Sequence, residues 1–144
     1  TYAQRATMGE AKALAPAAGA SASEIEDARA KLREAMEADL YAAAKARGAS
    51  GEIKPVTGPP TCERAPGTPE AGGYGVFDCF LPTAKIAATE RNMAGSLGYP
   101  WRAVLHYDTF TYAYCRSEPI PGEKAVVTDN QAIQLPAACQ REQS

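Results

Sequence analysis

Between Trp101 and Cys115 the chain reads WRAVLHYDTFTYAYC, and its apolar residues keep a strand's period of two with one break in phase. Trp101, Ala103, Leu105 and Tyr107 share one face, whereas beyond Asp108 the apolar set moves to Phe110, Tyr112 and Tyr114. A single straight strand cannot change face in this way, because its side chains alternate without interruption. A turn or bulge at Asp108-Thr109 can. It predicts a hairpin whose Tyr107/Phe110 and Leu105/Tyr112 pairs line one side. Such an aromatic ladder needs a helix or a second sheet over it. The opposite face carries Arg102, Val104 and His106, with Cys115 at its end as an anchor.

The cover is encoded upstream. Ser23-Glu24-Ile25-Glu26 reads as a capping box, in which the serine oxygen takes the Glu26 amide and the glutamate reaches back. From there Ile25, Ala28, Leu32, Met36, Leu40 and Ala43 recur at three and four, the apolar face of an amphipathic helix. Lys45 and Arg47 fall in the last turn and Gly48 supplies a stop, so the helix is expected over 24–47.

After Gly51 the composition changes: all but one of the 11 prolines and all but two of the 11 aromatic residues lie beyond it. Helix first and sheet second makes this an α+β chain, with N-terminal helices packed on a small antiparallel sheet. Within it, 53–57 reads as an edge strand because Pro55 lacks a ladder donor. Residues 58–73 read as a loop held by Cys62, 74–81 as an apolar strand, and 92–99 as a glycine-rich turn. The stretch 84–93 fits a short helix or extended chain equally. Residues 125–128 and 132–135 read as short strands. This gives one domain over 22–144, preceded at 1–16 by an Ala-rich helix whose Tyr2, Ala6, Gly9 and Ala13 form a stripe of small groups.

Cys62, Cys79, Cys115 and Cys139 are spaced by 17, 36 and 24 residues, with no CxxC pair and no histidine beside them. That spacing argues against a structural zinc site and for two disulfides, hence an oxidising, extracytoplasmic compartment. Three pairings are open. Cys62–Cys79 and Cys115–Cys139 are the expected ones, because each closes a local loop.

A formal net charge of −2 with scattered cations removes the electrostatic reason to expect a nucleic-acid partner. His106 and Cys115 are nine residues apart across a turn and are a poor nucleophile–base pair when the cysteine is oxidised. Glu10, Asp78 and Asp108 are too few and too dispersed for paired-carboxylate chemistry. No catalytic residue, metal ligand or cofactor is therefore expected. Trp101, Tyr107, Phe110, Tyr112 and Tyr114 would be a binding face only if left uncovered.

The segment AQRATMGEAKALAP, with its Glu10-Ala11-Lys12 pattern, resembles the stretch that follows the membrane helix in TadE-like minor pilins of tight-adherence systems. YCRSEPIPGE is similar to a Cys-x-x-Glu-x-Pro stretch in some of those proteins. The resemblance implies a non-catalytic structural subunit of a cell-surface appendage. Its partners would be other protein subunits, in a homo-oligomer or filament, and it would be anchored to the membrane through a segment upstream of Thr1. The alternative is a secreted or periplasmic binding domain using the aromatic sheet face.

Overall fold

The computed structural model describes residues 6–65, 73–86, 95–116 and 137–139. Strands β1 (Thr7–Glu10), β2 (Thr61–Arg64), β3 (Tyr74–Ile86), β4 (Gly95–His106) and β5 (Thr111–Arg116) form one antiparallel sheet in the order β1-β5-β4-β3-β2. Helix α1 (Ala22–Ala49) crosses one face between the two edge strands. The α+β reading holds, with one α-helix among the described residues.

The predicted hairpin is the centre of this sheet. Leu105 lies opposite Tyr112 and Ala103 opposite Tyr114. The turn spans 107–110, where Phe110 adopts a left-handed backbone with φ 52° and drops its ring into the core. Alternation then assigns Tyr99, Trp101, Ala103 and Leu105 of β4, with Phe77, Cys79 and Leu81 of β3, to the same side. Against that side α1 lays Ala28, Leu32, Met36, Leu40 and Ala44, all buried and spaced by four. The stripe ends on Ala44 rather than Ala43, which continues the i+4 row of buried residues.

The helix caps differ in detail from the expected ones. Ser21, not Ser23, is the N-cap: its Oγ accepts from the Glu24 amide at 3.1 Å, and the Ser21 amide donates to Glu24 Oε1 at 3.0 Å. That hydrogen bond holds the Glu24 carboxyl below its usual range. At the other end the left-handed glycine is Gly51, φ 83°, three residues past the expected stop. Gly48 remains helical, where a Cβ would meet Pro55 Cα at 3.1 Å.

Both disulfides form as expected, Cys62–Cys79 and Cys115–Cys139, and the described cysteines are all paired. The first joins two residues directly opposite each other on β2 and β3. The second ties the single turn at Ala137–Cys139 to β5, on the face away from α1.

Three readings are corrected. Residues 7–10 are strand β1, hydrogen-bonded into the sheet beside β5, and 12–14 a 3-10 turn, so no α-helix occupies 6–15. A strand forms there because β5 offers it a ladder, which a free Ala-rich segment lacks. Residues 53–57 are not a strand: Ile53 is buried and the Thr57 amide donates to the Pro82 carbonyl, but no ladder forms. The edge is instead Thr61–Arg64, inside the expected loop. Finally, 95–99 is strand rather than turn, and 84–86 extends β3, leaving the rest of 84–93, residues 117–136 and Tyr2 outside the described residues.

Candidate functional site

The aromatic face is core. Trp101, Phe110, Tyr112 and Tyr114 are all buried beneath α1, Trp101 edge-on to Tyr114 with centroids 5.9 Å apart and Tyr112 stacked on Tyr114 at 6.4 Å. Arg47 of α1 places its guanidinium over the Trp101 ring at 4.9 Å. The Tyr112 hydroxyl donates to Asp39 Oδ2 at 2.7 Å. Only Tyr107 is half-exposed, under the Arg29 guanidinium at 4.3 Å. A ligand cannot stack on rings that a helix already covers.

Burial disfavours the charged phenolate. It raises the Tyr114 hydroxyl to about 12, with the nearby Asp39 charge adding to the effect. Burial, followed by the hydrogen bond to Asp39, raises Tyr112 further still. A folded pKa above the unfolded value of 10.0 means the stabilisation is complete below pH 10 and is lost as pH rises through the folded values. Of the seven tyrosines, Tyr112 and Tyr114 should therefore ionise only as the fold opens in strong alkali. Tyrosinate absorbance followed together with circular dichroism checks this. Full ionisation near pH 10 with native dichroism would refute it.

The small-residue segment has a different role from helix packing. Ala6 packs on the Ala113–Cys115–Cys139 cluster, Gly9 lies over the Tyr112 ring, and Ala13 is exposed in the 3-10 turn. A Cβ on Gly9 would come within 2.4 Å of Tyr112 carbons, so glycine is what lets β1 close over that ring. Met8, on the opposite face, is 63% exposed.

The two sheet edges are finished differently. The Ala65 amide donates to the Val76 carbonyl, so by alternation the backbone groups of Cys62 and Arg64 point away from β3. The Arg33 side chain, reaching from α1, donates through Nη2 to the Cys62 carbonyl and so occupies that edge. At the other end the Ala11 amide donates to the Phe110 carbonyl, so the groups of Met8 and Glu10 point outward from β1. Among the described residues none bonds to them. The Glu10–Lys12 pair at 3.5 Å is the local charge there.

Among the described residues, two grooves lie beside the sheet. The larger, about 840 Å³, runs between the N-terminal half of α1 and Phe77 and Tyr107. Arg29, Arg33 and Arg64 alternate in it with Glu26, Glu34 and Glu37, and Arg33 lies over Phe77 at 4.8 Å while meeting Glu37 at 3.7 Å. Burial raises the Glu37 carboxyl above its usual range, against the pull of Arg33. Opposite charges in equal number make this groove a solvated ionic seam. The smaller, about 470 Å³, lies on the sheet face away from α1, around Glu63, Asp78 and Phe80.

His106 pairs in register with Thr111 and Tyr74, while Cys115 is oxidised, so the two make no nucleophile–base unit. Asp78 sits on an inner strand, not an edge, and is held by Arg102 Nε at 2.7 Å. Among the described residues no three His, Cys, Asp or Glu side chains converge as metal ligands do. Comparison of the chain with models of protein families, with curated proteins and with solved structures finds no match.

Proposed function

We propose that this domain is a non-catalytic assembly subunit of a cell-surface structure, pilin-like in role, which joins a neighbour at the edge of β1. The two disulfides support the coarser part of that reading, an oxidising and extracytoplasmic setting. The observation that supports the finer part is the contrast between edges: Arg33 occupies the β2 edge, whereas among the described residues nothing bonds the outward backbone groups of Met8 and Glu10, which suits β1 to a further strand. Main-chain pairing supplies affinity there, and the exposed Met8 side chain supplies an apolar contact.

Met8→Pro isolates this role. Proline removes an N–H that points away from β5, a position where edge strands tolerate it. The variant should keep the domain's melting temperature within a few degrees yet lose incorporation into surface assemblies, whereas Met8→Thr, which retains the donor, should still incorporate. Normal incorporation of Met8→Pro would overturn the reading. Deleting residues 1–15 is a poorer test, because it uncovers Tyr112 and destabilises the sheet itself.

A further inference from the structure

We propose that the smaller groove, on the sheet face away from α1, is a docking site for an arginine side chain of a partner protein. Thr61, Glu63, Asp78, Phe80, Pro82 and Pro100 line it. Register fixes their layout: Phe80 stands between Thr61 and Pro100, and Asp78 between Glu63 and Arg102. The Phe80 ring reaches Gly98, its Cζ 2.7 Å from where a Cβ would be, and it gives the groove an aromatic lining.

The chain repeats one device elsewhere. Arg33 lies over Phe77 while paired with Glu37, and Arg47 over Trp101 while paired with Glu52 at 3.3 Å. Arg29 covers Tyr107, Arg116 covers Tyr99 and Lys45 covers Tyr41. Phe80 has the ring and the neighbouring carboxylates of that device, but among the described residues no cation lies over it. Arg102 is committed in line to Asp78. Glu63 stands directly across from Asp78, a like-charge opposition that costs stability in a sheet, and Arg102 offsets one of the two charges.

The remaining charge is negative and sits beside an apolar lining. A guanidinium completes the arrangement: its plane rests on the Phe80 ring and its N–H fork meets the Glu63 carboxylate. Charge complementarity and stacking together select arginine over a compact ammonium. This site is separate from the β1 edge and does not depend on it.

The test is a titration of the isotope-labelled domain with a hexa-arginine peptide, followed by amide shifts. The shifts should centre on Thr61, Glu63 and Phe80. Glu63→Gln, at an exposed position that cannot threaten folding, and Phe80→Leu should each weaken binding by about tenfold. Glu34→Gln, an exposed acid of the larger groove, should leave it unchanged. The proposal is overturned if shifts centre elsewhere or are absent, if neither groove variant weakens binding, or if spermine shifts the same amides as strongly as the peptide does. The last outcome would mean that charge alone is read.

Discussion

Leu32→Ala should lower the unfolding free energy by about 2–5 kcal/mol, the range for emptying a fully enclosed leucine site. Leu32 is wholly inaccessible, the second of the five buried residues in the helical row that meets the aromatic ladder. The core cluster it belongs to is held by several independent constraints: strand pairing, the Tyr112–Asp39 hydrogen bond and the Arg47–Trp101 stack. That cluster cannot collapse into the space, so the cavity term adds to the lost transfer energy. Denaturant unfolding of wild type and variant measures it. A difference below about half a kilocalorie per mole would show that α1 does not seal the sheet.

Gly98→Ala should cost about 3 kcal/mol, near the upper end for forcing atoms into a packed site. A Cβ at this position would come 2.1 Å from the Leu81 carbonyl oxygen and 2.8 Å from its carbon. These are backbone atoms of the neighbouring strand, so no rotamer change can make room. Gly98 pairs with Pro82 immediately before the register shift between Pro82 and Ala84, and the strands would have to part there. The same variant should also disturb arginine-peptide binding, since the Phe80 ring reaches Gly98. A variant as stable as wild type would show that β3 and β4 do not approach this closely.

The readings that succeeded rested on periodicity strong enough to survive any tertiary setting. The hairpin was legible because a phase break at Asp108 has few physical explanations. The helix was legible because its apolar row spans its whole length, although two serines a pair of residues apart compete for the cap and only the packed structure chooses Ser21. Where the signal was weak, tertiary context decided. Tyr2, Ala6, Gly9 and Ala13 suit helical spacing, but Gly9 fits equally well as the one residue able to pass over Tyr112 in a strand. β2 has no apolar alternation at all: among its four residues only Cys62 is buried, and the disulfide partner on β3 sets its register.

Gly98 reads as a turn residue because its use inside β4, for a close backbone approach, leaves no trace in local sequence. The groove around Phe80 did leave one. In YGVFDCFL, Asp78 and Phe80 share the parity opposite to Phe77, Cys79 and Leu81, which puts an aromatic and an acid together on the face that α1 leaves alone.

The position of the second disulfide has a mechanical consequence. Thr7 pairs with Tyr114, and Cys115, the next residue, is bonded to Cys139. A tension applied between residues 6 and 139 therefore enters the sheet at one end of the β1–β5 ladder, through a covalent link that bypasses the other strands. Loaded from that end, an antiparallel ladder opens like a zip, one rung after another, rather than resisting in shear. Under pull the four-residue β1 peels away from β5 at low force, while the rungs that join β5 to β4, β4 to β3 and β3 to β2 lie off that load path.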